Sequence, residues 1–230
     1  MTVNPNPSKM SFFDINNIAF ELLDYKMSWL ELVATIFGLL AVWLSAREHI
    51  ANWGIGLVNV VCSGVIFYKL SLYSDVFLQI YFFITGVYGW WLWSKIKAET
   101  NEKVVTIKWL PRKQQILMAV TIVISTLIIG SMVTKLHIWY PSVFPTEAAF
   151  PYADTLVMTM SIFGNLLLTM KKIESWVLWV LVDIIAPILY FQKGILLITF
   201  EYVIFLGLAS FALMNWLKIY KMNILMINDK

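Results

Sequence analysis

Seven apolar segments follow one another between Glu31 and Trp216, and this succession fixes what the chain can fold into. They run roughly over Glu31–Ala46, Trp53–Leu70, Val76–Trp93, Gln114–Thr134, Asp154–Met170, Trp176–Phe191 and Ile195–Trp216. A helix that crosses the hydrocarbon core of a bilayer needs about 17 residues or more. Lipid offers no partner to a backbone amide or carbonyl, so each segment must satisfy its own hydrogen bonds as a helix. The expected fold class is an all-α membrane protein with seven transmembrane helices. Composition agrees: 60% of residues are hydrophobic, 13% are charged, and the mean hydropathy is +0.76. Those values lie outside the range of soluble domains. No polar block of domain size interrupts the pattern, so residues 1–230 read as a single membrane domain whose solvent is the lipid bilayer.

Ahead of the spans, residues 11–27 place Phe12, Ile15, Ala19 and Leu22 on one helical face and Asn17, Glu21 and Asp24 on the other. That spacing predicts an N-terminal amphipathic interfacial helix. Met1 to Ser11 lacks the charged-then-apolar layout of a signal peptide. Orientation follows from the basic residues. Arg47, Lys95, Lys108, Arg112, Lys113, Lys171, Lys172, Lys218 and Lys221 fall on one side of a seven-span chain. The expectation is an N-terminus outside and a cytoplasmic C-terminus.

A repeat is visible in the tryptophans. Trp53 maps onto Trp176 (176 − 53 = 123), and the same offset takes Trp93 to Trp216 and Glu31 to Asp154. Residues 31–95 form a first three-helix repeat and 154–217 a second, with residues 114–134 as the connecting helix. An odd number of spans inverts a second copy joined directly. One added crossing restores its direction, so the expected arrangement is 3+1+3 with parallel repeats.

The sixth segment carries the least comfortable residue. Asp183 stands near the middle of an apolar run, where a carboxylate costs roughly 3 kcal/mol on insertion scales and usually marks a pathway or a site. Trp176, Trp179 and Asp183 are spaced i, i+3, i+7 and so share one helical face. Two aromatic plates and a carboxylate suit a flat, polar or cationic ligand. The alternative is packing, with Asp183 bonded to a neighbouring helix. The acid has no counterpart in the first repeat, where the offset leads to Val60.

Other chemistries find little support. His49 and His137 lie in separate loops, and Cys62 sits in an apolar run, so no catalytic set and no metal site are expected. A net charge of +3 in a membrane chain reflects its cytoplasmic loops and does not indicate a nucleic-acid partner.

Trp176-x-x-Trp179-x-x-x-Asp183 resembles the W-x-x-W-x-x-x-N/D signature of the PnuC nicotinamide riboside transporters. Trp53-Gly-Ile-Gly56-Leu-Val-Asn59, Asp75, Gln79 and Tyr88-Gly89-Trp90-x-x-Trp93 resemble the first repeat of that family, and the likeness extends from about Glu31 to Trp216. The resemblance implies a SWEET-like fold in a bacterial inner membrane. It implies homotrimers and uptake of nicotinamide riboside by facilitated diffusion through one midplane site between the repeats. No cofactor is implied; a cytoplasmic riboside kinase would trap the substrate. A sibling transporter for thiamine or riboflavin is the alternative.

Under that resemblance Trp179 would stack on the pyridinium, and Asp183 would accept a hydrogen bond from the ribose or the carboxamide. Trp176 would add a second plate or anchor the helix at the interface. Gln79 and Tyr202 are related by the same offset and would form two walls of a cavity, unless each bonds a neighbouring helix. Asn59 lies near the counterpart of Asp183. Asp75 would attract a cation or simply favour a helix N-terminus. Glu31 and Asp154 read as helix-capping residues.

Overall fold

The computed structural model describes residues 12–22, 25–69, 73–99, 107–142, 144, 147–194 and 196–228. Among the described residues two strands, β1 (Ile18–Leu22) and β2 (Tyr25–Ser28), precede eight helices. These are α1 (Trp29–Ala46), α2 (Ala51–Lys69), α3 (Tyr73–Glu99), α4 (Arg112–Val133), the short α5 (Leu136–Trp139), α6 (Pro151–Thr169), α7 (Glu174–Gln192) and α8 (Leu196–Asn228). Six helices among the described residues are long and apolar enough to cross a membrane. The seventh expected span, α6, has 19 residues but is less apolar. The chain divides into two compact units, Met1–Trp91 and Leu92–Lys230.

The expected interfacial helix is not present. Strands β1 and β2 pair antiparallel, with Phe20 opposite Met27 and Glu21 opposite Lys26. Alternation explains the outcome: Ile18, Phe20 and Leu22 are separated by Ala19 and Glu21, a period of two that suits a strand. A turn built on Asp14 leads into it, with Asn16 donating from its backbone and side-chain nitrogens to Asp14 Oδ1 at 3.0 Å. Ser28 then caps α1. Its Oγ accepts from the Glu31 amide at 3.2 Å, while Glu31 Oε2 accepts from the Ser28 amide at 2.8 Å, a reciprocal capping box. The Tyr25 hydroxyl donates to Glu31 Oε1 at 2.7 Å, and burial together with this bond pushes its pKa up.

In the first unit α2 packs on both α1 and α3. Asn59 Nδ2 donates to the Ala34 carbonyl of α1 at 2.8 Å, beside a core of Leu30, Ala34, Cys62 and Ile66. On the α3 side, glycines admit large rings. A Cβ at Gly89 would come within 2.5 Å of the Trp53 indole, and one at Gly54 within 3.2 Å of Trp90.

In the second unit α6 packs against both α4 and α7, and α7 against α8. Ile122, Met160, Leu167, Leu178 and Val182 make the core. The position of α6 accounts for its lower apolarity, because its faces meet protein. Thr155, Thr159, Ser161, Asn165 and Thr169 are all buried on it. Thr155 and Thr159 return hydrogen bonds to backbone carbonyls one turn back, at 2.6 and 3.0 Å, and Thr159 also meets Thr126 of α4 at 3.2 Å. Helix α6 begins at Pro151, so Asp154 lies within the first turn. It does not cap the helix; it pairs with Lys193 Nζ at 2.7 Å.

Helix bounds in the two units keep the tryptophan offset. Helix α2 begins at Ala51 and α7 at Glu174 (174 − 51 = 123), and their ends, Lys69 and Gln192, keep the same separation. Two non-glycine residues adopt positive φ among the described residues, Glu48 at 57° and Lys171 at 52°, again 123 apart. Each terminates a helix in the same way. His49 donates to the Leu44 carbonyl at 2.9 Å and Lys172 to that of Leu167 at 2.9 Å, the six-to-one bond of a Schellman stop.

Candidate functional site

Helix α7 has a clear inside and outside. Leu181, Ile184 and Ile188 are exposed, whereas Trp176, Val182, Asp183, Ala186 and Leu189 are buried. Asp183 therefore faces protein, at 3% exposure. It forms no hydrogen bond or ion pair with any other described residue. Burying a carboxyl group without donors is costly, and leaving it so in a folded protein requires a reason beyond packing.

Glu174 is the informative contrast. It is also buried and stands at the start of the same helix, yet Leu110 donates its amide to Oε1 at 2.8 Å and Gln115 Nε2 donates at 2.7 Å. That carboxylate ties the entry of α4 to α7 and has a structural task. It is not among the residues singled out from the sequence, where it reads as a polar residue just outside an apolar run.

Pro187 is a second residue the sequence reading passed over. It lies inside α7, four residues after Asp183. Having no N–H, it cannot donate to the carbonyl four residues earlier, so the Asp183 carbonyl loses its helical donor. The acid and a carbonyl released from the helix ladder thus stand on the same residue. A proline within an otherwise continuous apolar run was the available signal.

The aromatic neighbours are held separately. Trp179 lies against α6, where a Cβ on Gly164 would sit 3.3 Å from its Nε1. Trp176 is edge-on to Trp216 of α8, with centroids 5.7 Å apart, and it is 2% exposed. Its Nε1 has no acceptor among the described residues. Tyr202 of α8 packs on the same core as Trp179 and stacks on Tyr190 of α7 at 5.4 Å with rings 15° from parallel. The second unit thus packs Trp179 of α7 and Tyr202 of α8 on one core, and Asp183 follows Trp179 by one turn of α7.

The remaining candidates belong to the first unit. Gln79 of α3 is partly buried and packs at Gly64 of α2, where a Cβ would lie 3.6 Å from its own Cβ. Asn59 directs its amide nitrogen to α1, as described above, and to Ser63 Oγ at 3.4 Å. Asp75 stands in the first turn of α3, where the macrodipole favours a carboxylate. No group of three or more His, Cys, Asp or Glu side chains that could hold a metal ion occurs among the described residues.

A family model described as nicotinamide mononucleotide transporter matches residues 28–218. The chain belongs to this family. Within it, the nicotinamide riboside transporter PnuC of Escherichia coli (strain K12) is 32% identical over 229 residues, covering 90% of this chain and 95% of the relative. The riboflavin/roseoflavin transporter RibM of Streptomyces davaonensis is 21% identical over 203 residues, with 88% and 91% covered. Among solved structures, the crystal structure of the vitamin B3 transporter PnuC superposes with a TM-score of 0.65 at 26% identity, covering 84% of this chain and 83% of that one. The nicotinamide mononucleotide transporter family is one of membrane transporters, and its helical fold is the one described here.

Proposed function

We propose that the protein carries nicotinamide riboside across a bacterial inner membrane by facilitated diffusion. The single observation behind this reading is Asp183, a buried carboxyl group without a protein donor, set beside Trp179 and below the proline that frees its carbonyl. Nicotinamide riboside brings what that site lacks. Its hydroxyls and carboxamide donate hydrogen bonds, and its pyridinium offers a positive charge and a flat face for the indole. The names of relatives such as the Escherichia coli transporter support the same substrate.

The site also discriminates against the phosphorylated form. No lysine or arginine pairs with Asp183 among the described residues, so nothing beside it would offset the charge of a dianionic phosphate. Trapping by a cytoplasmic riboside kinase fits this preference, because the phosphorylated product would not return by the same route. In this proposal Tyr202 and Trp176 shape the second unit's side of the site. Gln79, Asn59 and Asp75 enter on sequence grounds.

The 3+1+3 arrangement with parallel repeats belongs to the same reading and draws support from the helix bounds and the Schellman stops at Glu48 and Lys171. So do the outward N-terminus, which rests on the distribution of basic residues, and the homotrimer, which rests on the family resemblance. A second substrate, riboflavin, is favoured by one observation, the relative that carries riboflavin and roseoflavin. Calorimetry of the purified protein with nicotinamide riboside, riboflavin and thiamine side by side separates these readings. Uptake of riboside into proteoliposomes should saturate and should not respond when proton or sodium gradients are collapsed. A dependence on either gradient would exclude facilitated diffusion.

A further inference from the structure

At the opposite end of α7 from Glu174 lies a second feature, which the transport reading uses only through Tyr202. Tyr190 follows Asp183 by seven residues, which is two helical turns along the same stripe, about 10 Å away. One side of the Tyr190 ring is covered by Tyr202 in a near-parallel stack, and Tyr202 is in turn met edge-on by Phe205 at 6.1 Å. The ammonium of Lys193 lies 5.4 Å from the Tyr190 centroid, within the range of a cation–π contact. The same ammonium is held by Asp154 Oδ1 at 2.7 Å.

This is a complete cation site: a stacked aromatic face, a carboxylate beside it, and a positive charge already seated. The charge is tethered by a flexible side chain at the end of α7, and its partners are partly exposed. An exposed ion pair and an exposed cation–π contact are each weak, so another cation can take the place of Lys193 at small cost. We propose that the Tyr190–Tyr202 stack and Asp154 form a way-station for the pyridinium of the incoming substrate, and that Lys193 is the tethered cation it displaces. The ligand class is a flat organic cation. The inference rests on the proposed transport of nicotinamide riboside and adds a second binding position on the path to Asp183.

The test compares two ribosides that differ in charge: nicotinamide riboside, and its reduced dihydropyridine form, which is neutral. The reading is the ratio of their KM values for uptake into proteoliposomes. Tyr190→Leu should raise the cationic-to-neutral KM ratio about three-fold, the size of an exposed cation–π contact. Tyr190→Phe keeps an aromatic face and should restore the wild-type ratio. Lys193→Gln removes the competing ammonium and should lower the ratio. If Tyr190→Leu shifts both substrates equally, or Lys193→Gln leaves the ratio unmoved, the station is overturned while the transport reading stands. If wild-type protein transports neither riboside, the transport reading fails and the station falls with it.

Discussion

Glu174 and Asp183 are two buried acids on one helix, and among the described residues only Glu174 has donors. The contrast separates a residue that holds the fold from one that the fold tolerates. Removing Glu174 would leave the Leu110 amide without its acceptor and the Gln115 side chain with the Leu110 carbonyl alone, at 3.2 Å. Glu174→Ala should therefore destabilise by about 1–3 kcal/mol. Asp183→Ala removes a carboxyl with no partner and should leave thermal stability unchanged or higher. Riboside affinity should respond in the reverse order. Loss of a charge-assisted hydrogen bond at Asp183 is expected to weaken binding by about ten- to a hundred-fold. Thermal unfolding in detergent and calorimetry on the two variants check both axes. Unchanged affinity in a folded Asp183→Ala protein would remove it from the site.

The position of Trp179 depends on a missing side chain. Gly164 lets the indole rest against α6, and a Cβ there would lie 3.3 Å from Nε1 and 3.4 Å from Cε2. A small addition forces the ring to shift by tenths of an ångström, while a branched one displaces it. Gly164→Ala should raise the KM for riboside modestly, and Gly164→Val should raise it about ten-fold or more. Neither change touches the acid, so residual binding should keep its dependence on Asp183. Intrinsic fluorescence of a variant retaining only Trp179 would report the displacement directly. Identical spectra in the glycine and valine forms would refute the contact.

Much of this architecture is legible in the chain, and the reasons differ by element. The spans are readable because lipid imposes one solution on an apolar run. The segment expected over Asp154–Met170 is a helix, α6, and its buried threonines, which lower its apolarity, bond back to its own backbone. Asp183 stood out because an acid in such a run has few innocent explanations. The N-terminal segment departs from the expected helix because it carries two apolar patterns, Phe12, Ile15, Ala19 and Leu22 at helical spacing and Ile18, Phe20 and Leu22 at a period of two. The pairing of β1 with β2, and the tie from Tyr25 to Glu31, decide between them. Glu174 and Lys193 were invisible for another reason. Each lies at a helix end, where charged residues are ordinary, and their partners are distant in sequence: Leu110 for Glu174 and Asp154 for Lys193.

Pro187 offers a test in which stability and function should part. Pro187→Ala supplies the amide hydrogen that the Asp183 carbonyl lacks and removes the ring that crowds it. A proline inside a helix costs about 3 kcal/mol relative to alanine, so the variant should be more thermostable unless neighbouring packing opposes it. Its riboside affinity should fall, because the carbonyl beside the acid is then engaged in the helix. A variant that is more stable and binds as well as wild type would show that the released carbonyl has no part in recognition.

In the first unit Gly89 of α3 makes room for the Trp53 indole of α2. A Cβ at Gly89 would fall 2.5 Å from two ring carbons, too near for any rotamer of a fixed tryptophan to relieve without moving the helix. Gly89→Ala should destabilise by about 1–3 kcal/mol through overpacking. The counterpart in the second unit is Ala212 (212 − 89 = 123), fully buried and already carrying a methyl group, while Trp176, the counterpart of Trp53, packs edge-on to Trp216. If the clash at Gly89 is with Trp53 itself, Trp53→Leu in the Gly89→Ala background should cost less than Trp53→Leu alone. The coupling is expected to be about 0.5–3 kcal/mol in a double-mutant cycle of thermal unfolding. Additive effects would mean that the glycine is needed for some other neighbour.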